Sequence, residues 1–125
     1  MGIEELLDES RRKLERLTPT DALNAVANGA VLIDIRSETQ RAKDGTIPEA
    51  RFVPRNVLEW RLDPSSPSCD PELARADAVI ILMCDEGYQS SLAAAVLQTL
   101  GLRRATDVVG GFQAWSAAGL QVDVR

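Results

Sequence analysis

Cys84 is the residue whose type and position point most directly to chemistry. It follows an apolar run, 78–83, and a short polar stretch, 85–91, separates it from a second apolar segment, 92–100. A buried strand that delivers a thiol to a loop opening a helix directs backbone N–H groups and the positive helix end at sulfur, which favours the thiolate. Because the thiolate is the nucleophilic form of cysteine, the pattern predicts a reactive Cys84.

A structural role for Cys84 fits the same local pattern. Free cysteines are among the residue types most often buried, and one at the end of an apolar strand can act as a small hydrophobe. Gly87 permits a tight turn, and Ser90 and Ser91 are typical helix N-caps, so the loop favours the reactive alternative. The local pattern alone leaves both alternatives open.

Composition restricts the class of protein. A chain of 125 residues, 45% apolar and 26% charged, is expected to form one globular domain with its own core. The net charge of −5 argues against partners such as nucleic acid or an anionic membrane. The sequence has neither a membrane-spanning apolar run nor a signal-peptide pattern, and two cysteines, Cys69 and Cys84, do not make a disulfide framework. We therefore expect a cytoplasmic location.

Histidine is absent from the sequence. This excludes histidine-ligated metal sites, Cys–His dyads and Ser–His–Asp triads. We expect no metal and no cofactor. Acid–base assistance would have to come from carboxylates, tyrosine, water or the substrate.

Short β-rich runs alternate with amphipathic segments, which predicts an α/β fold with a parallel sheet covered on both faces. Helices are expected at residues 2–16, 19–28, 37–43, 56–62, 89–100 and 112–118. Strands are expected at residues 31–35, 51–53, 78–83 and 106–109. We interpret residues 1–16 as an N-terminal helical extension that is a surface appendage, and residues 17–125 as the domain.

Four motifs together resemble a single-domain rhodanese of the sulfurtransferase superfamily. They are Leu-Ile-Asp-Ile-Arg at 32–36, Gly-Thr-Ile-Pro-Glu-Ala at 45–50, Cys-Asp-Glu-Gly-Tyr-Gln-Ser at 84–90 and Gly-Gly-Phe-Gln-Ala-Trp at 110–115. Each motif is weak alone, whereas their order and spacing are specific. The resemblance implies a three-layer fold with a five-stranded parallel sheet flanked by helices.

The resemblance also implies an enzyme that transfers sulfane sulfur. Cys84 would attack the outer sulfur of a small donor, form a persulfide, and pass the sulfur to cyanide, a thiol or a protein acceptor. The substrate-binding loop would consist of Asp85, Glu86, Gly87, Tyr88, Gln89 and Ser90. Asp34 and Arg36 would support the site, either by lining the pocket or by holding neighbouring loops through salt bridges, and we favour the second role.

Several residues depart from the rhodanese pattern. Gln89 stands where many rhodaneses have arginine, Thr46 replaces a histidine, and Glu49 replaces a glycine. Asp85 and Glu86 add two carboxylates to a loop that should bind an anion. A unit charge about 7 Å from the sulfur costs the thiolate roughly 0.6 kcal/mol in a water-like dielectric, comparable with the ~0.3–1 kcal/mol from a helix end. We therefore expect the doubly charged thiosulfate to be a weak donor.

Two other functions are compatible with a cysteine in such a loop, a phosphatase-type enzyme and a non-catalytic module. A phosphatase or arsenate reductase needs arginine six positions after the cysteine to hold a dianion, and Ser90 stands there. A non-catalytic binding or redox-sensing module of the same fold stays open, since fold does not determine function. Cys69 could act as a resolving thiol that forms a disulfide with an oxidised Cys84. Its proline-rich loop is expected to lie far from Cys84, so we favour a free thiol without a role in the reaction.

Overall fold

The computed structural model describes residues 1–124 and has the predicted alternation of helices and strands. The helices are α1 (Ile3–Arg12), α2 (Pro19–Ala27), α3 (Glu38–Asp44), α4 (Leu58–Leu62), α5 (Gln89–Thr99) and α6 (Gly111–Ala117), with a 3-10 turn at Arg55–Val57. The strands are β1 (Val31–Asp34), β2 (Ala50–Phe52), β3 (Ile80–Met83) and β4 (Thr106–Asp107). No helix in the described part of the chain is long and apolar enough to cross a membrane.

The four strands form one parallel sheet in the order β2-β1-β3-β4. The expected fifth strand is reduced to Leu17, which pairs alone with Val108 beyond β4. Leu17 donates to the Asp107 carbonyl at 3.0 Å and accepts from Val109 N–H at 2.8 Å. The extended segment ends there because Thr18 caps α2 through Asp21 N–H, and Pro19 has no N–H to donate.

The core lies on both faces of the sheet, as expected for a parallel sheet. On one face, Ile33 and Leu82 pack with residues of α4 and α5. On the other face, Leu32 packs with residues of α2 and α6, among them the fully buried Trp115 and the nearly fully buried Phe112. Alternate side chains of β1 and β3 thus reach opposite layers, which confirms the three-layer α/β fold.

Helix α1 is shorter than predicted and is not an appendage. It packs against α5, with Leu7 and Ser10 buried. The Arg11 Nε also donates to the Ser91 hydroxyl at 3.1 Å. The many charged residues of this segment concealed its one buried face, which is why the sequence suggested a solvated helix.

Candidate active site

Three polar side chains meet at one edge of the sheet, because parallel strands end on the same side. Asp34 ends β1, Cys84 follows β3, and Asp107 ends β4. In the strand register Asp34 lies beside Met83, and Leu82 lies beside Asp107. The edge therefore places one thiol between two carboxylates.

The loop after Cys84 brings one backbone donor to the sulfur. Cys84 is only 2% exposed, and its Sγ accepts from Gly87 N–H at 3.1 Å. Gly87 has a φ of +87°, and a Cβ there would lie 2.8 Å from the Gly110 nitrogen, so only glycine fits. The N–H groups of Asp85, Glu86 and Tyr88 have no acceptor among residues 1–124. The loop therefore brings one N–H group to Sγ and leaves these three without an acceptor among the described residues.

Helix α6 holds the other side of this loop. Phe112 N–H donates to the Cys84 carbonyl at 2.8 Å, and Gln113 N–H donates to the Asp85 carbonyl at 3.1 Å. A Cβ on Gly111 would lie 2.5 Å from the Cys84 carbonyl oxygen. The glycine before Phe112 is therefore required for the close approach of helix and loop.

Ser90 and Ser91 do not cap α5, contrary to the sequence prediction. The helix begins at Gln89 with Tyr88 as N-cap and no side-chain cap. Both serine hydroxyls instead donate to Asp107 Oδ2, each at 2.7 Å. Since the Ser90 proton goes to Asp107, the Ser90 oxygen can accept the Cys84 thiol hydrogen across 3.3 Å.

Asp107 is a site residue that the sequence reasoning missed. Its side chain is fully buried, and Arg16 binds both carboxylate oxygens at 2.8 and 3.2 Å. A buried carboxylate is stable only when paired and hydrogen-bonded, and Arg16 with the two serine hydroxyls meets that need. It lies inside the predicted strand 106–109, and a charged residue within a short β-rich run could have revealed it.

Asp34 and Arg36 form a buried ion pair rather than an open binding site. Arg36 donates to both Asp34 oxygens at 3.0 and 2.8 Å and to the Gly45 carbonyl at 2.8 Å. Arg41 donates to Asp34 at 2.6 Å, and the Arg36 guanidinium stacks 3.7 Å from the Phe112 ring centroid. The pair joins β1 to neighbouring segments, as the favoured interpretation predicted. A role for it in the reaction stays a prediction.

A groove of about 560 Å³ lies beside the loop and includes Arg36, Arg55 and Gln89 in its lining. The loop's rim is formed by Tyr88, which is 60% exposed, and by Glu86, which is also exposed. The groove gives a small substrate a place next to the Cys84 loop. Its position at the carboxyl edge of the sheet is typical of binding sites in α/β proteins.

The second cysteine and the first loop carboxylate have local partners. Asp85 is half-buried and accepts from Gln113 Nε2 at 2.9 Å. Cys69 has a free thiol, whose Sγ contacts the Pro64 carbonyl at 4.0 Å within its own loop. No disulfide joins Cys69 to Cys84.

The family of the chain follows from comparison with known proteins. A family model described as the rhodanese-like domain matches residues 18–118, most of the chain and all four motifs. The chain belongs to the rhodanese-like family. The match begins after α1, so the N-terminal extension of this rhodanese-like protein lies outside the family model.

Curated relatives of this rhodanese-like protein are named as thiosulfate sulfurtransferases, and a solved structure shares its fold. Thiosulfate sulfurtransferase GlpE of Haemophilus influenzae is 28% identical, over 87% of this chain and 94% of that protein. The GlpE of Pseudomonas entomophila is 32% identical, over 82% and 85%. A Rhodopseudomonas palustris structure of unknown function, described as a possible tyrosine phosphatase, has 35% identity and a TM-score of 0.89, covering 98% of this chain and 95% of that chain. Because the match to this structure covers 98% of the chain, it includes α1.

Proposed function

We propose that this protein is a sulfurtransferase that carries sulfane sulfur as a persulfide on Cys84. The Cys84 thiolate attacks the outer sulfur of a donor and forms an S–S bond, while the donor's own S–S bond breaks. The electron pair of that bond leaves with the donor thiolate, or with sulfite when the donor is thiosulfate. The thiol proton passes to solvent or to the leaving thiolate. Cyanide or an acceptor thiolate then attacks the terminal sulfur and releases Cys84 as thiolate. No net oxidant is needed.

The proposal is carried by the backbone donors around Cys84. Gly87 N–H already reaches Sγ, and the N–H groups of Asp85, Glu86 and Tyr88 are unpaired within residues 1–124. A persulfide adds a second, anionic sulfur that needs donors of this kind. Such a loop suits an intermediate larger than the resting thiol.

Sulfur loading is the direct test of the function. The protein would be exposed to polysulfide, a low-molecular-weight persulfide and thiosulfate, and its mass measured before and after cyanide is added. We expect a gain of one sulfur that cyanide removes as thiocyanate. Cys84→Ser is the control, and a gain of the same size in that variant would exclude Cys84 as the carrier. Stable sulfenylation without transfer would favour a redox sensor, and an unreactive thiol would favour a binding module.

Donor preference follows from the loop charges. Residues 84–91 contain Asp85 and Glu86 and no arginine or lysine. We expect a persulfide donor to outperform thiosulfate, and Glu86→Gln to raise kcat/KM for thiosulfate about threefold, the factor that corresponds to ~0.6 kcal/mol. The exposed Glu86 can be changed without disturbing the core. A low KM for thiosulfate that rises in Glu86→Gln would contradict the acidic-loop argument.

A phosphatase function is not favoured, although the Rhodopseudomonas palustris protein is described as a possible tyrosine phosphatase. Phosphate dianions are bound by bidentate arginine, and Ser90 stands six positions after Cys84. The Ser90 hydroxyl is committed to the buried carboxylate of Asp107.

We also place the reaction in the cytoplasm, where both cysteines would stay reduced, and we propose small thiols, cyanide or a protein cysteine as acceptors.

A further inference from the structure

Two arginines from the N-terminal extension converge on the Cys84 loop. Arg11 Nη2 donates to the Gly87 carbonyl at 2.8 Å, and Arg16 Nη2 donates to the same oxygen at 3.1 Å. Both residues precede the 18–118 segment that matches the rhodanese-like model. We call Arg11 and Arg16 the arginine clamp.

Gly87 is the residue on which the clamp and the reactive sulfur both depend. Its N–H donates to Cys84 Sγ, while its carbonyl accepts from the clamp. Charge-assisted hydrogen bonds are roughly twice as strong as neutral ones, so two of them on one oxygen restrict the orientation of residue 87. A glycine would otherwise have the greatest backbone freedom. The clamp therefore fixes the direction of the one N–H that reaches the sulfur.

The clamp also brings positive charge to an acidic loop. Residues 84–91 carry two carboxylates and no cation. Arg16 pairs with the buried Asp107, while Arg11 bonds Ser91 and lies 5.7 Å from the Tyr88 ring centroid. The charge of Arg16 is matched by Asp107, so Arg11 is the guanidinium that opposes the effect of Asp85 and Glu86 on an anion at Cys84.

We propose that Arg11 and Arg16 are positioning residues of the Cys84 site, and that the N-terminal extension is therefore a working part of the active site. They act on the sulfur through Gly87 and do not touch substrate. Where sulfur transfer is the readout, this inference rests on the proposed function. Two measurements that need no sulfur donor test it independently.

Arg11→Ala is the sharpest variant, and Arg12→Ala is its matched control. Arg16 is less suitable because its loss would also unpair the buried Asp107. Arg12 is the next residue of the same helix. Its side chain is exposed and makes no hydrogen bond or salt bridge within residues 1–124. The full-length proteins would be compared by circular dichroism to establish that each is folded.

The first measurement is hydrogen exchange of the 84–90 segment, in which the Gly87 amide, the donor to Sγ, is the reporter. We expect exchange in Arg11→Ala to be about five- to tenfold faster than in Arg12→Ala, since a hydrogen bond to a charged group is lost. The second is the ratio of Cys84 alkylation rates with iodoacetate and iodoacetamide, a ratio in which changes in thiol access largely cancel. Removing one cation should lower this ratio about two- to threefold. With sulfur donors, we expect kcat to fall more than KM changes.

Arg11→Lys keeps the proposal testable if the alanine variant does not fold. Lysine retains the charge but lacks the planar fork that reaches Gly87 and Ser91 together. We expect the alkylation ratio to stay at the wild-type value while exchange of the 84–90 segment increases. If Arg11→Ala or Arg11→Lys matches Arg12→Ala in both measurements, the clamp does not position the loop. If the wild type takes up no sulfur, the proposed function fails, and these two measurements still decide the inference.

Discussion

Two aspartates lie fully buried at the same edge of the sheet and have different kinds of partner. Asp34 accepts from Arg36 and Arg41, and Arg36 continues to the Gly45 carbonyl. Asp107 accepts from Arg16 and from two serine hydroxyls, one of which lies 3.3 Å from Cys84 Sγ. Burial and charge are the same at both places. The hydroxyl partner connects one carboxylate to the Cys84 sulfur, and Asp34 has no such link within residues 1–124.

Asp34→Asn should produce the largest loss of stability. It would leave Arg36, which has no exposed surface, without its ionic partner. Breaking a buried pair in this way typically costs about 3–5 kcal/mol of unfolding free energy. Urea denaturation would measure the loss, and Cys84 alkylation in the folded protein should stay within about twofold of wild type because no hydrogen bond joins the two networks. A large change in alkylation at wild-type stability would reverse the roles given to the two aspartates.

Asp107→Asn should be less destabilising and should act on the thiol. Arg16 is 17% exposed and can turn towards water, so we expect a loss of about 1–3 kcal/mol. Removing the carboxylate frees the Ser90 proton for the thiolate and removes a negative charge, so alkylation of Cys84 should become roughly threefold faster at neutral pH. Unchanged alkylation would show that Asp107 has only a structural role.

Ser90→Ala and Ser91→Ala form a matched pair with the smallest effects. Each removes one 2.7 Å hydrogen bond to Asp107, so losses of about 1 kcal/mol are expected. The loss in Ser91→Ala should be somewhat larger, because Ser91 also accepts from Arg11 Nε. Of the two serines, only Ser90 contacts Cys84 Sγ, and its replacement by alanine removes the acceptor of the thiol hydrogen. Alkylation should therefore become faster in Ser90→Ala and stay close to wild type in Ser91→Ala. Slower alkylation in Ser90→Ala would mean that Ser90 donates to the thiolate instead of to Asp107.

The fold could be predicted in most of its parts because its signals are local. The apolar run before Cys84 predicts β3, and Thr18 with Pro19 predicts the start of α2, which the structure has at that point. The prediction of a fifth strand was wrong because Leu17 lies between the extension and the α2 cap, with room for a single bridge. The residues that start α2, Thr18 and Pro19, therefore also end the extended segment.

The site could be predicted only where its residues are close in sequence. Cys84 and Gly87 are three positions apart, and their glycine-turn pattern is readable. Arg11 and Arg16 contact residues 71 to 91 positions away, and no periodicity in a charged helix indicates such contacts. Ser90 and Ser91 fit the N-cap pattern, but the buried Asp107 competes for their hydroxyls.

The contacts on both sides of the Cys84 loop have a consequence for synthesis. Arg11 and Arg16 precede Cys84 in the chain, whereas Phe112 and Gln113, which bind the Cys84 and Asp85 carbonyls, are translated after it. A nascent chain that lacks residues 110–125 cannot complete the loop, even though the cysteine has already been translated. The Cys84 loop therefore acquires its full set of backbone contacts only after α6 has been translated and has packed beside it.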